Sequence, residues 1–197
     1  MEIFTGLIRK KKSINNGKAM KKLNIMSYKI FVTLICSIIP YCVGLGQDSL
    51  LTRKMELKVL SQGKTDKIFC FDLNVDNENQ NIVQIRYLGQ VQTNTHDIYK
   101  ILTWRRVWGP NFHTTGVIML FDLNNRYVGD YRLGDGSYLP DEVEENSLIF
   151  TNRNKTDCDK SIVTKINFDS IPKDIFLKCT KEKDGIYGDI YSFTNEE

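Results

Sequence analysis

From Lys67 onward the chain is a succession of short β-branched and aromatic runs, each closed by Asn, Asp or Gly. The runs are KIFCFDLNV (67–75), NIVQIRYL (81–88), GVIMLFDL (116–123), RYVGDYRL (126–133), SLIFTN (147–152), SIVTKINF (161–168), DIFLKC (174–179) and GIYGDIYSF (185–193). Pieces this short make poor helices, and their side chains suit a pleated, half-buried surface. Turn residues recurring at roughly ten-residue intervals fold such runs into antiparallel hairpins. Asn124-Asn125 and Asp184-Gly185 are the sharpest of these signals, because Asn and Gly accept the left-handed backbone of a tight turn. The expected fold class is all-β: a single-domain antiparallel sandwich or barrel of about 8–10 short strands with little helix.

Two segments fit that grammar less directly. KMELKVL (54–60) alternates Met55, Leu57 and Val59 against Glu56, Lys58 and Leu60, and reads as a further strand. THDIYKILTWRRVWGP (95–110) has a cap-like Thr95 and a Gly109-Pro110 stop, which are helix signals. Its neighbours are strands, and local consistency favours a strand here too. Trp104, Arg106 and Trp108 then share one face, and Arg105 belongs to the other.

The N-terminus has a different character. Residues 30–46, IFVTLICSIIPYCVGLG, carry no charge and follow the lysines of MKKLNIMSYK. A basic start, an apolar stretch and a small-residue end at Gly44 and Gly46 describe a secretory signal peptide. The expected division is an upstream extension plus signal peptide over 1–46, cleaved after Gly46, and a β domain over 47–197. That places the protein in a secreted or periplasmic, extracytoplasmic location. The alternative is a membrane anchor formed by residues 30–46, although the 17-residue run is short for the ~20 residues of a spanning helix.

Charge follows the same boundary. The first 46 residues hold eight lysines and arginines against one acid, which leaves 19 basic and 23 acidic residues for the rest. The body is therefore net negative, with its cations scattered. Nucleic acid needs a basic stripe to neutralise phosphates, so it is excluded as a partner. Of five cysteines, Cys70, Cys158 and Cys179 lie beyond the leader. Cys158 and Cys179 are close enough in sequence to pair, and three unpaired thiols are the other reading.

No sequence pattern nominates a catalytic residue, a metal ligand or a cofactor. DLNVDNEN places Asp72, Asn74 and Asp76 at the first three ligand positions of a calcium loop. Asn77 and Val83 then stand where that loop needs Gly and Glu, and in the second FDLN, Arg126 follows Asp122 and Asn124. Both tetrads read as turns. His96 and His113 lie in separate segments without a nucleophile motif. LPDEVEEN (139–146) reads as a solvated acidic turn, and Gly134 and Gly136 as turn glycines. The local composition best suited to binding is Trp104, Arg106 and Trp108, two indoles flanking a guanidinium, a combination that suits a protein or carbohydrate ligand. The expected function is a non-catalytic binding or structural module. A hydrolase using paired carboxylates on a β scaffold is the alternative.

Overall fold

The computed structural model describes residues 46–65, 67–74, 80–182 and 185–195. The expected signal peptide up to Leu45, the turn residues Asp76 and Asn77, and Asp184 lie outside them. The chain divides into two compact units, one of residues 5–54 and one that takes in everything from Met55 onward. The ten strands and both apolar cores belong to the latter.

The fold is all-β with one helix. Seven strands form an antiparallel sheet in the order β1 (Ile68–Asp72), β2 (Asn81–Gln92), β3 (Ile98–Trp108), β4 (His113–Phe121), β5 (Tyr127–Leu133), β10 (Gly185–Thr194) and β9 (Asp174–Glu182). β6 (Glu142–Glu144), β7 (Ser147–Thr151) and β8 (Val163–Asn167) form a second, three-stranded sheet. The segment at 95–108 is strand from Ile98, paired along its length with β2 and β4. The acidic stretch at 139–146 is not all turn: β6 lies within it and pairs with β7.

The strand expected at 54–60 is instead part of helix α1, Gly46–Gln62. Met55, Glu56, Val59 and Leu60 are buried, whereas Leu57 is exposed. Pairs spaced by four residues make a helical stripe. Met, Glu, Leu and Lys are also strong helix formers, and no Gly or Pro interrupts the segment. The alternation of Met55, Leu57 and Val59 was coincidental.

Strand alternation divides the large sheet into two faces. Val83, Ile85, Leu102, Met119 and Phe121 point to one, where Met55, Val59 and Leu60 of α1 cover them. Ile101, Ile118, Leu120, Tyr131 and Leu133 point to the other and pack against Leu148, Phe150 and Phe168 from the small sheet and its exit. β2 serves both cores through a bulge between Tyr87 and Gly89. Gly89 adopts a φ of 136°, which a side chain would strain. Before the bulge the odd-numbered residues face α1; after it, Val91 joins the core between the sheets.

Polar residues set the corners. The Asp72 carboxylate accepts the Asn74 amide at 2.9 Å, and the Asp122 carboxylate accepts the Arg126 amide at 2.7 Å. Asn125 takes a left-handed φ of 61° between β4 and β5. The two FDLN tetrads thus share turn chemistry. Cys158 and Cys179 form a disulfide that ties the loop after β7 to β9, and Cys70 is a free thiol. In the same loop the Asn152 side-chain amide donates to the carbonyls of Asp159 and Lys178, each at 3.0 Å. Among the described residues, no helix is long and apolar enough to cross a membrane.

Candidate functional site

Toward one end of the interface between the two sheets, apolar packing gives way to a polar cleft of about 440 Å³. Its floor is the large sheet. Register pairs Ile68 with Arg86 and Arg86 with Thr103, and in the neighbouring row Cys70 with Gln84 and Gln84 with Arg105. Strand alternation directs Gln84, Arg86, Thr103 and Arg105 to the same face as Ile101, so each row runs from the buried core out to the cleft. The roof comes from residues 136–141, with Thr151 and Asn154 from the end of β7 and the loop that follows.

The roof lies close on the floor because of two glycines. A Cβ on Gly136 would sit 2.7 Å from Cγ and 2.9 Å from Nε of Arg105. A Cβ on Gly116 would meet the Asp135 carbonyl at 3.1 Å. Asp135 holds this approach in place: its carboxylate accepts the Ser137 amide at 2.7 Å and the Thr114 hydroxyl at 2.8 Å. Burial by itself would raise the Asp135 pKa. The bonds from Ser137 and Thr114, together with the charge of Arg105, outweigh it and hold the carboxyl below the usual range.

The two arginines are unevenly satisfied. Arg86 donates through Nη1 to the Asp141 carbonyl at 2.9 Å and through Nε to the Thr65 carbonyl at 3.2 Å. Arg105 donates through Nη1 to Gln84 Oε1 at 3.3 Å, while its Nε is buried without a partner. Among the described residues neither guanidinium has a carboxylate within 4 Å. The one acid lining the cleft, Asp141, spends Oδ2 on the Thr151 amide at 2.8 Å. The Thr151 hydroxyl is itself buried and unpaired. Two cations facing one polar cavity can accept an anion.

Beside the cleft, Lys155 is almost wholly buried, with Nζ 4.1 Å from the centre of the Tyr138 ring. Burial pushes its pKa down, partly offset by Asp189 and Asp141. Tyr191, whose ring is 6.3 Å from that of Tyr138, is pushed up to about 12, mainly by burial.

The aromatic triad expected from the sequence lies on the opposite face. Trp104, Arg106 and Trp108 do share that face, opposite Ile85, Val83 and Asn81 of β2. They differ in burial. Trp104 packs against the core under α1, with Nε1 buried and unpaired. Arg106 donates from Nε to Asn81 Oδ1 at 2.8 Å. Trp108 is 44% exposed and lies 5.1 Å from the His113 ring. His96 is exposed in the turn before β3, at a φ of 68°.

Sequence reasoning passed over Arg86, Arg105 and Thr151. Only the pairing register unites Arg86 with Arg105, which stand 19 positions apart in the chain. The available signal was the alternation in TWRRVW, which puts Arg105 with Thr103 and away from the tryptophans. Comparison with family models, with curated proteins and with solved structures finds no match.

Proposed function

We propose that the protein is an exported, non-catalytic binding module that holds an anionic group of its ligand between Arg86 and Arg105. The observation that carries this reading is a pair of arginines in one cleft with no carboxylate within 4 Å among the described residues, Asp135 acting on Arg105 only at longer range. Two cations facing one cleft repel each other, and an anion held between them relieves that repulsion. The cleft volume falls within the range typical of small-molecule sites. Its nearest carboxyls favour binding over hydrolysis. Asp135 is held ionised by its hydrogen bonds, which suits a structural clamp better than a general acid, and Asp141 is engaged with a backbone amide.

Export is supported by the leader pattern and by the Cys158–Cys179 disulfide, a bond that persists in oxidising compartments. Two measurements test the proposal. Intact mass of protein recovered outside the cytoplasm should correspond to a chain beginning at Gln47; a full-length cytoplasmic product would defeat the export claim. Calorimetric titration with inorganic phosphate should give saturable one-to-one binding that weakens with added salt. Absence of saturable heat would remove the anion site.

A further inference from the structure

β1 closes one end of the seven-stranded sheet, so one of its edges is left without a strand partner among the described residues. An open edge offers a row of backbone donors and acceptors to an extended chain. Two hollows meet at its first residue. Ile68 lines the arginine cleft, and it also lines a smaller hollow of about 200 Å³ between β1 and the C-terminal turn of α1, where Lys58 and Gln62 face residues 67–71. The side chains around the two hollows include four cations, Lys58, Lys67, Arg86 and Arg105, and one acid, Asp141. Lys58 and Lys67 lie over the rings of Phe71 and Phe69, at 6.0 and 5.1 Å. Asp72 puts an exposed acid at the far end of β1, so the positive charge gathers at the start of the edge, around Ile68.

We propose that the occupant of the arginine cleft is an acidic side chain of a peptide that docks, extended, along the free edge of β1. The inference rests on the anion-binding reading above and names its ligand class. A strand added to β1 would lie ~4.8 Å from it and ~10 Å from β2. Arg86 is opposite Ile68 in register, and its Nε is drawn to the carbonyl of Thr65, just before the edge strand. A glutamate on the same face of the added strand therefore meets the Arg86 guanidinium, already leaning toward it, while Arg105 on β3, ~14 Å from the added strand, contributes charge and no direct contact. Alternation makes the requirement periodic. Every second peptide side chain faces the arginines, and those between lie beside Phe69 and Phe71, which point toward α1. The favoured sequence alternates acidic with apolar residues.

The test is hydrogen exchange of the protein with a synthetic peptide alternating Glu and Val, with the same peptide carrying Gln for Glu, and with inorganic phosphate alone. The Glu peptide should slow exchange across residues 67–72 by about tenfold or more, as expected when an open edge gains ladder hydrogen bonds. The Gln peptide should not. Raising the salt concentration should reverse the protection without any mutation, and Arg86→Gln should abolish it. If phosphate binds but the Glu peptide leaves 67–72 unprotected, edge docking is wrong and the anion site stands. If neither binds, both proposals fall. Equal protection by the Gln peptide would remove the charge requirement. Protection that grows with protein concentration alone would assign the edge to a second copy of the chain, and it too would overturn the proposal.

Discussion

Arg105→Met separates a binding residue from a stabilising one. Methionine keeps the stem that runs under Gly136 and removes the charge and the donors. Three contributions set the expected change. Removing the buried, unpaired Nε–H relieves about 1–3 kcal/mol. Removing one of two cations that face one water-accessible cleft relieves under about 1 kcal/mol. Against these stand the bond to Gln84, long at 3.3 Å and worth about 1 kcal/mol, and an attraction to the partly exposed Asp135 worth under about 1 kcal/mol. The variant should therefore be more stable than the parent by about 1 kcal/mol or somewhat more. A urea midpoint higher by about 0.5 M would report it, given the slopes usual for domains of this size. Phosphate should reverse the order. At a hundred times its dissociation constant it stabilises the parent by about 2.7 kcal/mol through mass action and leaves the variant unmoved. The two unfolding curves should exchange places when phosphate is added. If Arg105→Met is the less stable protein and responds to phosphate as the parent does, Arg105 is a structural residue and the argument from uncompensated charge fails.

The tryptophans should separate in the same assay. Trp104→Ala opens the core under α1 and should cost about 3 kcal/mol or more, whereas Trp108→Ala, at an exposed strand end, should cost under about 1 kcal/mol. Reducing the Cys158–Cys179 bond, which spans 21 positions, should lower stability by about 3 kcal/mol. A thiol titration of the unreduced chain starting at Gln47 should find one reactive group, Cys70. Lys155 is the source of a pH effect. Its folded pKa lies below the free value of 10.5, so the unfolded chain binds the extra proton and stability rises as pH climbs toward that value. Lys155→Met should flatten this rise; an unchanged slope in the variant would assign it to another group.

The strands were legible because each is a short apolar run with turn chemistry at its ends. The Asn124-Asn125 corner is the clearest case, since hydrogen bonds among Asp122, Asn125 and Arg126 close it locally, and Lys100 of β3 only braces it. α1 was misread because three apolar residues spaced by two also fit a strand, and only burial of Glu56 together with exposure of Leu57 distinguishes the helical stripe. The cleft is not legible in the sequence for a different reason. Arg86 and Arg105 are unremarkable in their own segments, and they become a site only when β2 and β3 align in one register. WRRVW drew attention to the correct strand but to the arginine on the opposite face. Gly136, where the roof presses onto Arg105, reads as an ordinary turn glycine because its partner Thr114 is 22 positions away.

The bulge at Tyr87–Gly89 acts on β2 much as a frameshift acts on a message. Upstream of it the strand is read in one phase, with Arg86 toward the cleft and Ile85 toward α1; downstream the phase is reversed, and Val91 enters the opposite core. Substitutions leave that frame intact, but a change of length does not. Deleting Leu88 would force one half of the strand to present its sides in exchange, carrying either the arginine out of the cleft or Val91 out of the core. Variation in this protein should therefore be tolerated far more readily in the identity of the residues around Gly89 than in their number.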